Sequence, residues 1–180
     1  NDPSMEEGLR WDMISQVGTL LKSGLSSGPL PGFDVEHVYM TSHHGQAATY
    51  ALTVHSRSFL ADGGPVYDGY VIKSSDRPDP ISRCEPALAN EDPRLLIENV
   101  GVPVIRVVPE AEVLRGNVYR RPDSDAPDDP YRLYEIPGAP RMDKIYFEHL
   151  PSIEDQIKAG QPASNSKWPY DAPCTPDIDL

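Results

Sequence analysis

Residues 35–50 read VEHVYMTSHHGQAATY, and this stretch decides how the fold is interpreted. It starts with a short β-branched and aromatic run, passes through the corner Ser42-His43-His44-Gly45, and ends in small residues that suit a helix. A strand, a sharp turn and a helix in this order hold a serine hydroxyl out at the end of a parallel strand. The stretch therefore predicts that Ser42 occupies the position of a nucleophile.

Hydrophobic spacing predicts alternating helices and strands along the rest of the chain. The predicted helices cover residues 6–23, 46–59, 94–99 and 153–159. The predicted strands cover residues 35–40, 67–73, 102–108 and 131–136. The first helix has apolar residues at helical spacing: Leu9, Met13, Val17, Leu20 and Leu21. Strands that alternate with helices indicate an α/β fold, with a mostly parallel sheet and helices on both faces.

Length and charge narrow the classes of protein that this chain can represent. With 180 residues we expect a single domain spanning 1–180. The 16 basic and 28 acidic residues give a net charge of −12, which repels phosphate backbones and argues against a nucleic-acid partner. No apolar run approaches the roughly 18 residues of a membrane span. The sequence does not choose between a cytoplasmic and a secreted soluble protein.

Prolines and cysteines lie in the same parts of the chain. The 20 prolines are concentrated in residues 78–93, 122–140 and 162–176, which predicts long loops between short elements. Cys84 and Cys174 both fall in these proline-rich segments. They form either a disulfide or two separate thiols, and the sequence alone leaves both alternatives open.

Motifs in a fixed order give the chain a resemblance to a known family. Residues 40–45, MTSHHG, stand where that family has G-x-S-Q-S-G, and LKSG at 21–24 precedes them. The later motifs are YDGYV at 67–71, VPVIRVV at 102–108 followed by EAE at 110–112, RRPDSD at 120–125, and RLYEIPGAPRMD at 132–143. The chain resembles the bacterial α/β-hydrolase-domain family over roughly residues 6–175.

The resemblance implies how the chain fits into a larger fold. It corresponds to the C-terminal part of an α/β-hydrolase domain, which is incomplete in this chain. The family's first strands would precede residue 1 and its final helix would follow Leu180. We therefore expect a second chain or segment to complete the sheet.

The resemblance also implies a serine hydrolase site that acts on a small ester-like substrate without a cofactor or metal. Ser42 maps onto the nucleophile, and Glu112, or else Glu110, maps onto the acid of the triad. The backbone N–H of His43 follows the nucleophile and would stabilise the oxyanion. A second oxyanion donor would come from a loop outside this chain.

The general base is the departure from the family pattern. Arg141 stands at the family's histidine position, and a guanidinium cannot accept the serine proton. Met40 and His44 replace small residues beside Ser42. Three replacements for the base are considered: His149 after a loop shift, a histidine of the corner, or a histidine from a partner chain.

Each candidate residue also has a structural interpretation. Ser42 would cap the helix that begins near residue 46. His43 and His44 would be turn residues rather than metal ligands, and Glu110 and Glu112 would be solvated loop carboxylates. In an inactive protein of this kind, Arg141 would form an ion pair with Glu112 and close the former catalytic site. The carboxylates Asp123, Asp125, Asp128 and Asp129 would form a solvated turn rather than a calcium loop.

Three functional hypotheses follow. The first is an esterase-like acyl hydrolase that uses Ser42. The second is a catalytically inactive hydrolase fold kept as a subunit or binding module, which the changes at positions 40, 44 and 141 favour. The third keeps the pocket for lyase or cyclase chemistry, with His43, His44 or Arg141 holding an anionic group.

Overall fold

A computed structural model describes residues 7–42, 45–55, 60, 62–73, 92–114, 120–140 and 152–160 of the chain. The helices are α1 (Glu7–Lys22), α2 (Gln46–Thr53), α3 (Glu110–Leu114) and α4 (Ile153–Lys158). The strands are β1 (Tyr39–Ser42), β2 (Gly69–Lys73), β3 (Val104–Pro109), β4 (Ser124–Ala126) and β5 (Asp129–Ile136). A 3₁₀ turn covers Pro93–Leu95.

The five strands form one sheet in the order β1-β2-β3-β5-β4. The pairs β1–β2, β2–β3 and β3–β5 are parallel, and β4 pairs with β5 as an antiparallel hairpin. Helix α2 packs on β1 and β2, and α3 packs on β3 and β5. The predicted α/β class with a mostly parallel sheet is confirmed.

The predicted helix over 94–99 is wrong. Only Pro93–Leu95 turns, and Leu96 already has an extended backbone with ψ 133°. Leu95 and Ile97 are both buried, which is the alternation of an extended segment rather than a helical face. Asn99 then adopts a positive φ of 52°, a conformation in which asparagine is among the tolerated residues.

Two elements were not predicted, and most predicted ones differ in extent by one or more residues, β1 and α2 among them. Helix α3 and strand β4 are short and carry several acidic residues, so neither shows a clear apolar period. Strand β1 begins at Tyr39 and extends to Ser42, whereas the predicted strand ended at residue 40. Helix α2 ends at Thr53, and residues 56–59 of the predicted helix lie outside the described residues.

The core is built around a group of aromatic residues between α1, α2 and β2. The Tyr50 ring meets the Tyr67 ring edge-on at 5.3 Å and lies 6.3 Å from the rings of Trp11 and Tyr70. Polar tips are satisfied inside this group: the Tyr67 hydroxyl donates to Ile14 O at 2.7 Å, and the Tyr50 hydroxyl lies 2.6 Å from Ser15 Oγ. Buried aromatic rings with bonded hydroxyls fix how α1 is seated.

Helix α1 packs on the core with the face opposite to its line of aliphatic residues. Trp11 is buried, and Ile14 and Leu21 pack against the core. The aliphatic residues Leu9, Met13, Val17 and Leu20 are exposed. The prediction of a helix is confirmed, but of the five apolar residues that predicted it only Leu21 packs against the core.

The C-terminal end of α1 is tied to β2 by an ion pair. Lys22 Nζ donates to Asp68 Oδ1 at 2.9 Å and to Pro65 O at 3.0 Å, and Val38 N–H donates to Asp68 Oδ2 at 2.7 Å. Burial raises the pKa of Asp68, but the bonds from Lys22 and Val38 outweigh it and hold that pKa below its usual value. One carboxylate thus joins α1, the entry to β1 and the entry to β2.

Replacing Gly18 with alanine tests the seating of α1. A Cβ there would lie 2.6 Å from Val66 Cγ1 and 2.9 Å from Tyr67 Cζ. Alanine gains about 1 kcal/mol of helix propensity, and overpacking costs about 1–3 kcal/mol. We expect Gly18→Ala to lower the free energy of unfolding in urea, whereas the exposed Gln16→Ala leaves it unchanged or raises it. A more stable Gly18→Ala protein would contradict this packing.

A second prediction concerns the buried His55. Its Nδ1 lies 2.6 Å from the Tyr70 hydroxyl. Burial lowers the pKa of His55, and a hydrogen bond with the backbone of Val100 opposes this only in part. The stabilisation from neutral His55 is therefore complete above about pH 6.5 and is lost as the pH falls from there through the folded-state pKa.

Chemical unfolding at pH 5 to 8 measures this effect. We expect His55→Gln to flatten the fall in stability below about pH 6.5. Parallel curves for the wild type and the variant would show that His55 does not couple folding to pH.

Candidate active site

Ser42 is the last residue of β1 and precedes the first turn of α2. Gly45 is the N-cap of α2 and makes no side-chain cap. Instead, Ala47 N–H donates to Ser42 Oγ at 3.0 Å. The serine therefore lies at the positive end of the helix, where backbone N–H groups favour an accumulating negative charge. The predicted strand before the corner and helix after it are observed, while His43 and His44 of the corner lie outside the described residues.

The backbone of Ser42 is not strained. Among the non-glycine residues that the structure describes, Asn99 alone has a positive φ, and Ser42 pairs with Ile72 within the parallel ladder. A nucleophile elbow places its serine on a sharp, strained turn. In this structure Ser42 has the backbone of a strand end, and its hydroxyl also contributes to the start of α2.

The two candidate acids differ completely in environment. Glu112 has 0% exposure, whereas Glu110, two residues earlier in α3, is exposed. Glu110 Oε2 accepts a hydrogen bond from Gly138 N–H at 2.8 Å. The interpretation as a solvated carboxylate is wrong for Glu112 and fits Glu110, although both residues lie in α3 and not in a loop. Burying a carboxylate costs free energy. Of the two candidate acids, Glu112 is therefore the one whose burial suggests a role beyond solubility.

The sheet places Ser42 and Glu112 at the same edge. Strands β1, β2 and β3 are parallel, so their carboxyl ends lie together, which is where open α/β sheets bind their ligands. Ser42 ends β1, and Glu112 lies in the helix that directly follows β3. One intervening strand separates them, which corresponds to about 10 Å between β1 and β3.

Arg106 is a candidate site residue that was not predicted from the sequence. It pairs with Ile72, which in turn pairs with Ser42, so all three lie in one row across the sheet. Partners in such a row project to the same face, and Arg106 is only 3% exposed. A signal was present, because a charged residue in the middle of the β-branched run VIRVV is unusual for an inner strand of a parallel sheet.

The structure leaves the other site candidates untested. His43, His44, Arg141 and His149 lie outside the described residues, as do Cys84 and Cys174. Neither the replacement of the base nor the pairing of Arg141 with Glu112 is therefore tested. In the described parts of the chain, no three His, Cys, Asp or Glu side chains are grouped to hold a metal ion.

The carboxylate-rich segment is a hairpin with an exposed turn at residues 127–128, as the sequence predicted, and arginines pair with some of its acids. Arg121 donates to both carboxylate oxygens of Asp129 at 2.7 Å and lies over the Tyr131 ring at 3.8 Å. Arg132 donates to Asp125. The acids at 125 and 129 are thus ion-pair partners in β4 and β5, which explains their spacing without a ligand.

These features define a class of protein. A parallel sheet with a serine at the end of one strand, before a helix, and a buried carboxylate after a later strand is the layout of α/β enzymes that use a serine. A comparison with protein families matches residues 3–176 to the family described as Alpha/beta hydrolase domain. The chain belongs to this family.

Other comparisons add no relatives. Neither the search of curated proteins nor the search of solved structures found a match. Within the described residues, no helix is long and apolar enough to cross a membrane.

The contact between Ser42 and α2 predicts a structural effect that is separate from catalysis. Ser42→Ala removes the oxygen that accepts from Ala47 N–H, and losing such a contact typically costs about 1 kcal/mol. We expect thermal unfolding to shift down for Ser42→Ala and to stay nearly constant for Thr41→Ala, whose side chain is exposed. Equal melting temperatures for all three proteins would show that the contact does not stabilise α2.

Proposed function

We propose that this α/β-hydrolase-domain protein is a serine acyl hydrolase of the esterase type, with Ser42 as nucleophile and Glu112 as the acid that orients the base. The observation that carries the proposal is the complete burial of Glu112 at the sheet edge that Ser42 also occupies. The chain order of serine first and acid second agrees with this fold's triad.

The separation of the two residues supports a third side chain between them. A carboxylate two strands away cannot take the serine proton directly, but it can hold an imidazole that does. We assign the base to His149 and one oxyanion donor to the His43 N–H. The dipole of α2 would add to the stabilisation of the oxyanion. The substrate is a small ester-like molecule, and no cofactor enters the reaction.

A second candidate function has its own supporting observation. The unstrained backbone of Ser42 and its contact with Ala47 suit a serine that caps a helix in a catalytically inactive subunit or binding module. Met40 packs against the core from the position where the resembling family has glycine. Arg141, at that family's histidine position, points in the same direction.

We further propose that another chain or segment completes the sheet beside β1. Among the described strands, β1 pairs with β2 alone, so its other edge carries backbone groups that can form a further ladder. Exposed parallel edges are rare because they invite pairing. An added strand would also extend the carboxyl edge on which Ser42 lies.

Labelling with a fluorophosphonate probe tests the catalytic proposal. We expect the wild-type serine to react and Ser42→Ala to lose the label. Glu112→Gln should slow labelling by at least about 100-fold because the base loses its orientation. The matched control is Glu110→Gln, which removes an exposed carboxylate from the same short helix and should label at the wild-type rate.

The opposite outcome identifies the second candidate. A folded wild-type protein that does not label would contradict the hydrolase proposal. Labelling that appears only in Arg141→His would then show that the site is intact except for its base. Labelling that survives in Ser42→Ala would mean that another residue is the nucleophile.

A further inference from the structure

The outer face of α1 carries an apolar stripe that nothing in the described structure covers. The stripe consists of Leu9, Met13, Val17 and Leu20, whose exposed fractions lie between 45% and 64%. These residues recur every three or four positions, so they form one continuous line along a helix of 16 residues.

Helix α1 cannot turn to bury this stripe. Its inner face is held by the Tyr67 bond to Ile14 and by the contact between Ser15 and Tyr50. Gly18 packs so closely on Val66 that a Cβ would clash. The stripe is therefore a second apolar face, and a helix that is apolar on two sides normally lies between two layers of protein.

The area of the stripe is large for the surface of a monomer. Its four side chains expose roughly 400 Å², the size at which exposed apolar patches usually mark an interaction site. Leu25, Leu30 and Phe33 are also exposed in the connection that follows. Together, the exposed apolar side chains of residues 9–33 offer roughly 700 Å², close to the ~800 Å² per partner of a stable interface.

Charge separates this segment from the rest of the chain. Residues 9–33 contain only Arg10, Asp12 and Lys22 as charged residues, while the whole chain carries −12. Lys22 is already paired with Asp68. Two copies of so acidic a chain repel each other over most of their surfaces, and this nearly neutral segment is where they can approach.

We propose that the stripe is the dimer interface of two copies of this chain, with the α1 helices antiparallel across a two-fold axis. The axis passes between Met13 and Val17. Leu9 of one copy then meets Leu20 of the other, and Met13 meets Val17, so the stripe is self-complementary as a two-fold interface requires. High salt strengthens the dimer because it screens the net charge of each copy.

Sedimentation velocity of the protein over 1–200 µM tests the proposal. We expect the wild type to form a dimer within this concentration range. Met13→Glu and Val17→Lys should each be monomeric. The matched control is Ile157→Lys, which places a charge on an exposed apolar residue of α4 and should remain dimeric.

Mixing the two variants gives the sharpest result. A Met13→Glu copy and a Val17→Lys copy should form a heterodimer, because the antiparallel pairing places the glutamate opposite the lysine. A circular dichroism spectrum of each variant confirms that it is folded. A wild type that stays monomeric at 200 µM, or a folded mixture that does not associate, overturns the proposal. A dimer that survives both substitutions places the interface elsewhere.

Discussion

The parallel ladder through β1, β2, β3 and β5 is the constraint on which the rest of the structure depends. It brings the carboxyl ends of the strands to one edge and aligns Ser42, Ile72 and Arg106 in one row. Gly69 permits the ladder to be this tight, since a Cβ there would lie 3.1 Å from both Pro103 O and the Tyr39 ring. Ser42 and Glu112, which are seventy positions apart in sequence, thereby reach the same edge of the sheet.

The sequence predicted which elements exist better than it predicted which faces they bury. Strand β3 was evident from its β-branched run, and the corner at Ser42 from its change in residue type. The aliphatic spacing of α1 predicted the helix correctly, but most of the residues that carry this spacing do not face the core. In the structure the core face uses Trp11, Gly18 and hydrogen-bonded Ser15 instead, and such a face has no aliphatic signature. The Pro93–Leu95 turn similarly depends on tertiary burial of Leu95 and Ile97, which local pattern does not contain.

For the candidate site, the sequence predicted the order of the residues along the chain, but not which of their side chains are buried. The positions of Ser42 and the two glutamates followed from motif order. Glu110 and Glu112 differ only in direction on a helix of five residues, and one is exposed while the other is buried. Residues two apart on a helix point to different sides, so the choice between them needed three dimensions. Arg106 was missed for a different reason: its charge within an apolar run was visible but was not treated as a signal.

Two kinds of buried side chain lie in different parts of this fold: aromatic residues that hold the helices, and ionisable residues that do not. The aromatic group of Trp11, Tyr50, Tyr67 and Tyr70 lies toward the amino ends of the strands and seats α1 and α2 without any charge. Arg106 lies in the middle of β3, in the same row as Ser42, and Glu112 lies in the helix that follows β3; both are almost completely buried. Apolar residues of similar volume would stabilise the fold as well as buried ions do, or better. Stability alone therefore does not account for these two buried ionisable groups, and their position near the ligand-binding edge of a parallel sheet makes them candidates for a functional role.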